Sequence, residues 1–135
     1  RHGTALLQLS SETDAFLFRL NHIGLPEELA EILADTSITK IGAAVYDDIR
    51  GLQRHRYFEP GRFMDLQQFG EKFGIVEKSV RKMAAIILNL KVSKAQQCSN
   101  WEAARLSPEQ QQYAATDAWI CLRMYKALLA SEMIK

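Results

Sequence analysis

The sequence predicts an α/β domain with one hydrophobic core, and three observations support this class. Short apolar runs near the start are typical of strands, later segments carry apolar residues at three- and four-residue spacing typical of helices, and strands and helices are mixed after the first pair. A length of 135 residues suits one domain or a large piece of one, so residues 1–135 are expected to form a single domain. With 47% hydrophobic and 24% charged residues, the composition is that of an ordinary soluble globular protein and excludes a disordered tail, a fibrous repeat and a disulfide scaffold.

The first elements are expected to be a hairpin and a helix. Residues 5–10 (ALLQLS) and 15–20 (AFLFRL) are apolar runs separated by turn residues at 11–14, a pattern that predicts two paired strands. Pro26 at a first helical position, followed by two glutamates, predicts a helix that ends near Asp35.

Residues 38–45 (ITKIGAAV) predict a buried strand with small residues, and Asp47 and Asp48 open a short helix after it that runs to about His55. In a purely structural interpretation, one carboxylate caps this helix and the other favours its positive end. Ligands of α/β proteins bind at the ends of strands, so a ligand role for these carboxylates stays open.

Pro60 and Gly61 indicate a break, followed by a short strand over residues 62–64 and a helix over residues 65–73. Ser79 begins a further helix, in which the apolar residues Val80, Met83, Ala84 and Ile87 follow helical spacing.

The last helix has the clearest start signal in the chain. Residues 91–104 lack a period and predict an ordered loop. Ser107 then stands at a capping position with Pro108 at the first helical position and Gln110 at the third, which predicts a capped helix that runs to about Ser131.

Asp117 interrupts the apolar face of this last helix, which is formed by Tyr113, Asp117, Ile120, Met124 and Leu128. An ionised carboxylate on such a face costs several kcal/mol, roughly, unless it is paired or bound to a metal. Asp117 is therefore either a rim residue, or a partner of Arg123 or another basic group, or a metal ligand with Tyr113 one turn away. Helical phase alone leaves these alternatives open.

The net charge of the chain shows that it is not a polycation. Seventeen basic and sixteen acidic residues give a net charge of +1, so any grip on nucleic acid must come from local clusters. Two such clusters exist, although clusters of this kind are most often solvated faces: Lys78, Arg81 and Lys82, and Arg50, Arg54 and Arg56.

The chain has only two cysteines, Cys98 and Cys121, which is too few for a domain of this size to be stabilised by disulfides. We therefore expect reduced thiols in a cytoplasmic protein. The scattered histidines His2, His22 and His55 have no zinc-ligand spacing. No apolar run reaches the roughly 18 to 20 residues that a membrane span needs, so no membrane partner is expected. Because the chain begins with Arg1 and carries no signal segment, it is expected to be a piece of a longer protein.

Several motifs resemble one enzyme family. Residues 112–118 (QYAATDA), preceded by residues 106–110 (LSPEQ), resemble the third motif of the 3'-5' exonucleases in which a tyrosine supplements four acidic residues. Residues 98–101 (CSNW) resemble the Werner-syndrome-type branch and the ribonuclease D relatives. Residues 40–42 (KIG), with Asp48 and Leu52, resemble the second motif, and residues 6–9 (LLQL) resemble the strand that follows the first motif.

This resemblance implies an RNase H-like α/β fold, with a mixed sheet flanked by helices, and a mechanism with two divalent ions, Mg²⁺ or Mn²⁺. Asp117 would coordinate one metal directly, Asp48 would hold the second through water, and Tyr113 would orient the attacking water. Asp47 competes with Asp48 for its role, but the spacing from Gly42 and to Leu52 favours Asp48.

The resemblance also implies that Ser99, Asn100 and Trp101 lie in a loop close to the nucleic acid, with Lys94 reaching a phosphate. Trp101 has a structural alternative as a core residue, and a solvated Lys94 is the commoner outcome. Ala43 and Ala44 replace the larger polar residues common in the second motif, which weakens the case for base or sugar contacts there.

The sequence lacks the first motif, an Asp-x-Glu pair on the central strand of this fold. Without these carboxylates the fragment is expected to be inactive, and the motif is expected a short distance upstream in the native protein. The leading hypothesis is a monomeric 3'-5' exonuclease domain acting on free 3' ends, with DNA favoured over RNA. The alternatives are a catalytically inactive nucleic-acid-binding module and, more weakly, a domain for protein interaction.

Overall fold

The computed structural model describes residues 3–134, and the side chains of residues 3–132. His2 therefore lies outside the described residues, as does Arg1. The elements run in the order β1 (Leu6–Ser10), β2 (Ala15–Arg19), α1 (Leu20–Ile23), α2 (Glu27–Ala34), β3 (Lys40–Gly42), α3 (Val45–Gln53), β4 (Phe63–Asp65), α4 (Leu66–Glu71), α5 (Val80–Leu88) and α6 (Pro108–Ile134). The mixture of strands and helices confirms the predicted α/β class.

The predicted hairpin is confirmed. β1 and β2 pair antiparallel from Leu6 opposite Arg19 to Ser10 opposite Ala15. The backbone N–H of Ser11 donates to the carbonyl of Asp14 at 2.8 Å and closes the turn. The second strand ends one residue earlier than predicted, because Leu20 already begins α1.

The strand predicted over residues 38–45 is wrong in length. β3 spans only three residues, which pair in parallel with β4 from Lys40 opposite Phe63 to Gly42 opposite Asp65. Ile38 is 41% exposed and therefore not part of a buried strand. At the other end, Ala44 adopts a left-handed conformation (φ 57°, ψ 48°), which ends the extended backbone and lets α3 begin at Val45.

Side chains cap three helices, two of them at the predicted starts Ser79 and Ser107, whereas the predicted cap of α3 by Asp47 or Asp48 is wrong, because Ala44 stands at its capping position without a side-chain hydrogen bond. Asp65 accepts a hydrogen bond from the Gln67 N–H, and Ser79 accepts one from the Lys82 N–H. The strongest cap begins α6, where Ser107 Oγ accepts from the Gln110 N–H at 3.1 Å and Gln110 Oε1 accepts from the Ser107 N–H at 2.8 Å.

Of two smaller predictions, one differs by one residue and the other is confirmed. Pro26 stands at the capping position of α2 rather than at its first helical position. The break at Pro60 and Gly61 is confirmed as irregular chain, and a Cβ on Gly61 would lie 2.7 Å from the carbonyl oxygen of Ala34, so this close approach requires glycine.

The expectation of one hydrophobic core is wrong, because the buried side chains form two clusters. The N-terminal cluster is Leu7, Leu20, Leu25, Leu29, Ala30, Leu33, Ile49, Leu52 and Phe58. The C-terminal cluster is Leu66, Phe69, Met83, Ala84, Ile120, Cys121, Met124 and Leu128. α6 links the two halves, since it contacts β1, β2 and β3 as well as α4 and α5.

The expected mixed sheet is present as two separate two-stranded pieces, β1 with β2 and β3 with β4. Both β1 and β3 line one cavity of about 440 Å³, which we call the central groove and which also touches Asp48 and Asp117. Among the described residues, β1 and β3 thus each have a single pairing partner and meet at this groove. No helix in residues 3–134 combines the length and the apolar character that crossing a bilayer requires.

Candidate active site

Two carboxylates from distant parts of the chain line the central groove. Asp48 lies in the first turn of α3, and Asp117 lies in the first half of α6. Both border the same cavity as Gly42 and Ala43 at the end of β3. The structure therefore brings together the two acids that the motifs single out, at the end of a strand where α/β proteins bind ligands.

The start of α3, the helix that carries Asp48, is held by Asp65. The N–H of Ala44 donates to Asp65 Oδ1 at 3.2 Å, and the same oxygen accepts from the Gln67 N–H at 3.0 Å. One carboxylate oxygen thus joins the starts of α3 and α4. Asp65 is buried, so this link lies inside the protein rather than on its surface.

Asp47 does not share the position of its neighbour. Its side chain is 80% exposed and forms an ion pair with Arg50 on the same helix. Asp48, in contrast, lines the central groove. The two adjacent carboxylates therefore occupy different environments, and only Asp48 faces Asp117.

Electrostatics in the groove disfavour negative charge. Partial burial, followed by the charges of Asp117, Asp47 and Asp65, raises the pKa of Asp48 to about 6, although the residue remains accessible to solvent. Burial also raises the pKa of Asp117. The predicted alternative of a pairing with Arg123 is not realised: no ion pair of the described residues joins it to Asp117, and its guanidinium lies 5.6 Å from the ring centroid of Trp119.

The pair fits part of a site for a hard divalent cation. Carboxylate oxygens are the donors that Mg²⁺ and Mn²⁺ prefer, and two carboxylates without a basic partner gain from a bound cation. Within residues 3–134, no group of three or more His, Cys, Asp and Glu side chains is arranged to hold a metal. Asp48 and Asp117 thus form an incomplete donor set.

Tyr113 lies one turn before Asp117 on α6 and is half-buried. Burial, followed by the charge of Asp117, raises the pKa of its phenol, so the hydroxyl keeps its proton at neutral pH and can donate a hydrogen bond. The ring lies 6.0 Å from that of Trp101, centroid to centroid. Tyr113, Trp101, Ala5, Leu6 and Gln8 line a second cavity of about 270 Å³, the aromatic cavity.

The loop residues predicted to contact nucleic acid are partly engaged within the protein. Ser99 Oγ donates to the carbonyl of Gln96 at 2.8 Å, and Asn100 Oδ1 accepts from the Glu102 N–H at 3.1 Å. Trp101 is half-buried against Tyr113 rather than being part of either hydrophobic cluster. Lys94 is exposed.

Two side chains that hold this loop were not singled out as site residues by the sequence. Gln110 Nε2 donates to Ser99 Oγ at 3.1 Å and to the carbonyl of Asn100 at 3.0 Å. Arg19 donates to loop carbonyls from the hairpin. The capping pattern identified Gln110 as a helix residue, but no sequence signal connects Arg19 with a loop so distant in the chain.

The basic clusters are largely engaged in local contacts. Lys78 pairs with Glu71 at 2.5 Å, Lys82 with Glu77 at 3.9 Å, and Arg56 Nε donates to the carbonyl of Leu25 at 2.8 Å. These contacts favour the interpretation of solvated faces. Cys98 and Cys121 are both free, as predicted, the first exposed and the second buried.

The fold and the site define a class of protein. The family model described as 3'-5' exonuclease matches residues 1–131 of the chain. The chain therefore belongs to the 3'-5' exonuclease domain family, and the resemblance proposed from the motifs is confirmed at that level.

Known proteins of two kinds are similar to the chain. It is 36% identical over 132 residues to "Exonuclease 3'-5' domain-containing protein 2" of Drosophila melanogaster, covering 95% of this chain and 23% of that protein. It is 31% identical over 134 residues to "Bifunctional 3'-5' exonuclease/ATP-dependent helicase WRN" of Mus musculus, covering 95% of this chain and 10% of that protein. The chain thus spans less than a quarter of either relative.

Solved structures confirm the RNase H-like exonuclease fold. The exoribonuclease RNase D of Escherichia coli superposes with a TM-score of 0.82 at 25% identity, over 96% of this chain and 35% of that one. Brucella melitensis NrnC bound to pGG gives a TM-score of 0.82 at 23% identity, over 93% and 63% of the two chains. Brucella melitensis NrnC with bound Mg²⁺ gives a TM-score of 0.82 at 21% identity, over 95% of this chain and 64% of that one.

Proposed function

We propose that this chain is the larger part of a 3'-5' exonuclease domain that removes nucleotides from nucleic-acid 3' ends with two divalent metal ions. The observation that carries the proposal is the pair Asp48 and Asp117, which line one groove and form no ion pair identified within residues 3–132. Membership of the exonuclease family supports hydrolysis of phosphodiester bonds. The Mg²⁺ recorded in the related NrnC fold supports the choice of ion.

In this proposal Asp117 binds one ion directly and Asp48 holds the second, each with further ligands. When bound, the two ions stabilise the attacking and leaving oxygens of the displacement. Tyr113 orients the attacking water through its hydroxyl, which is protonated at neutral pH and whose pKa burial and the charge of Asp117 raise further. Lys94, Ser99, Asn100 and Trp101 border the path of the nucleic acid.

We further propose that a strand carrying the Asp-x-Glu pair fills the central groove and completes both the sheet and the donor set. Two observations support this placement. β1 and β3, each paired on one side within the described residues, both line the groove. The two carboxylates already there provide only part of a metal site.

The substrate we propose first is DNA, on the similarity to the exonuclease–helicase relative. RNase D is an exoribonuclease involved in structured RNA processing, so RNA is the necessary comparison. A non-catalytic nucleic-acid-binding module is the second candidate, favoured by the incomplete donor set of the described residues.

The test is 3'-end shortening of labelled DNA and RNA oligonucleotides in Mg²⁺ or Mn²⁺, using the domain with its native upstream residues. Asp117→Ala is the variant expected to be inactive. Asp47→Ala is the matched control, because this substitution removes a carboxylate of the same kind outside the groove. Metal-dependent shortening that Asp117→Ala lacks and Asp47→Ala retains supports the proposal. No shortening by the folded domain contradicts it, and metal-independent binding of the oligonucleotides would then favour the binding module.

A further inference from the structure

The loop that connects α5 to α6, residues 89–107, has little regular structure of its own, yet it carries Trp101 into contact with Tyr113. We call it the α5–α6 loop. One side is held by Gln110, whose amide donates to Ser99 Oγ and to the carbonyl of Asn100. Gln110 is 6% exposed, so these hydrogen bonds are shielded from water.

The other side of the loop is held by Arg19, the last residue of β2. Its guanidinium donates to the carbonyls of Ala104 at 3.1 Å and Trp101 at 3.5 Å, and to that of Ala103. Its Nε is enclosed by protein and has no hydrogen-bond partner among the described residues. The guanidinium is therefore directed into the loop, although the residue as a whole is only partly buried.

Trp101 lies between these two attachments. Its backbone carbonyl is one of the acceptors of Arg19, and its ring contacts Tyr113 within the distance range of favourable aromatic pairs. Trp101 and Tyr113 together form a wall of the aromatic cavity. Any movement of the loop away from the hairpin thus moves the ring that packs on Tyr113.

We propose that Arg19 is a positioning residue, which clamps the α5–α6 loop to the hairpin and so fixes Trp101 against Tyr113. The clamp depends on the shape of the guanidinium, because its two terminal nitrogens donate to the loop from separate positions, whereas the three donors of a lysine share one nitrogen. A lysine in its place keeps the positive charge but offers a single ammonium group. The catalytic consequence of this clamp rests on the role proposed above for Tyr113, whereas the clamp itself does not.

The test compares Arg19→Lys and Arg19→Met, which keep most of the side-chain volume, with Arg105→Lys. Arg105 is an exposed arginine of the same loop and is the matched control. Amide hydrogen exchange is measured along the chain in the absence of nucleic acid. We expect exchange at residues 97–103 to accelerate by about tenfold or more in both Arg19 variants, since hydrogen bonds from a charged donor are lost. Exchange in β1 and α2 should stay unchanged.

The second readout is steady-state cleavage kinetics of the domain with its native upstream residues. Both Arg19 variants should lower kcat with little change in KM, because Tyr113 loses its neighbour while the metal ligands stay in place. If Arg19→Lys keeps native exchange and native kcat, charge rather than the fork is what matters, and the proposal is overturned. Acceleration of exchange throughout the domain also overturns it, since Arg19 would then serve general stability.

Faster loop exchange with an unchanged kcat overturns the positioning role. If the unmodified domain cleaves no oligonucleotide, the exonuclease proposal fails. The exchange data then decide the clamp independently, and selective acceleration at residues 97–103 supports it.

Discussion

Asp48 and Asp117 face one groove from two helices far apart in the sequence, and no basic side chain neutralises them in an ion pair identified in residues 3–132. The protein thus holds two partly buried negative charges close enough for Asp117 to raise the pKa of Asp48. Repulsion and burial of these charges lower the stability of the folded protein in the absence of a cation. A bound cation would relieve this repulsion, which contributes favourably to cation binding.

Replacing Asp117 with alanine should lower the cleavage rate of the domain with its native upstream residues at least about a hundredfold. This is the size of effect seen when a group that stabilises the transition state is removed. The melting temperature measured in EDTA should be unchanged or higher, because an uncompensated charge is removed. Activity that survives in this variant would contradict the metal-ligand role of Asp117.

Tyr113→Phe should lower kcat by about tenfold or more while substrate affinity stays near native, because the ring that packs on Trp101 is kept and only the hydroxyl is lost. Tyr125→Phe is the matched control, since Tyr125 lies on the same helix and packs on Phe69 in the C-terminal cluster. A large loss of affinity in Tyr113→Phe would point to a packing role instead.

The free energy of unfolding of the metal-free protein should depend on Asp48 between pH 4 and pH 6. The carboxyl titrates near 3.8 in its ordinary state and its pKa is raised to about 6 in the folded chain. In this window the folded chain binds more protons than the unfolded chain, so this contribution to stability falls as pH rises. Denaturant unfolding in EDTA should therefore show Asp48→Asn gaining stability relative to the unmodified protein from pH 4 to pH 7.

Asp47→Asn is the control for that measurement, because it makes the same chemical change on the adjacent residue outside the groove. A stability difference for Asp48→Asn that does not vary with pH would show that its carboxyl is not perturbed in the folded state.

Ser107→Ala should lower the free energy of unfolding by about 1 kcal/mol, because the cap on the Gln110 N–H is lost. A change of this size should lower the melting temperature by a few degrees. Ser131→Ala near the other end of α6 serves as the control, since Ser131 is exposed and caps no helix start. An unaltered melting temperature in Ser107→Ala would argue that the cap contributes nothing to the stability of α6.

The two thiols should differ in reactivity. Cys98 is exposed, whereas Cys121 is buried and burial raises the pKa of its thiol to about 12. Because the thiolate is the reactive form, a thiol reagent at pH 7.5 should modify Cys98 rapidly and Cys121 only after unfolding. Cys98→Ser should remove the fast phase, and a fast phase that persists in this variant would mean that the groove opens often enough to expose Cys121.

Most helices and strands could be predicted from short sequence patterns, because a hairpin turn or a helix cap depends on a few adjacent residues. The turn at Ser11 and the cap at Ser107 are the clearest examples. The length of β3 was not predictable in this way, since Ile38 and Ala44 suit a strand by composition and are excluded from it by exposure and backbone conformation.

Motif spacing also anticipated where two of the candidate side chains lie, while their roles stay predictions. Motif spacing selected Asp48 over Asp47, and the structure places only Asp48 in the groove with Asp117. The contacts of Arg19 and Gln110 with the loop could not be predicted, because they depend on tertiary packing and join segments that no short motif spans. Their part in holding Trp101 emerges only when the hairpin and α6 are folded together.

The two hydrophobic clusters have a consequence for how the chain loses its structure. Within the described residues the two clusters are connected by α6 and by β4, whose Phe63 packs on the N-terminal cluster and Met64 on the C-terminal one. We expect each cluster to be able to unfold as a separate cooperative unit. A strand inserted into the groove would touch both and merge them into one transition. Occupancy of the groove would then be visible as a change from stepwise to all-or-none unfolding, even before any nucleotide is cleaved.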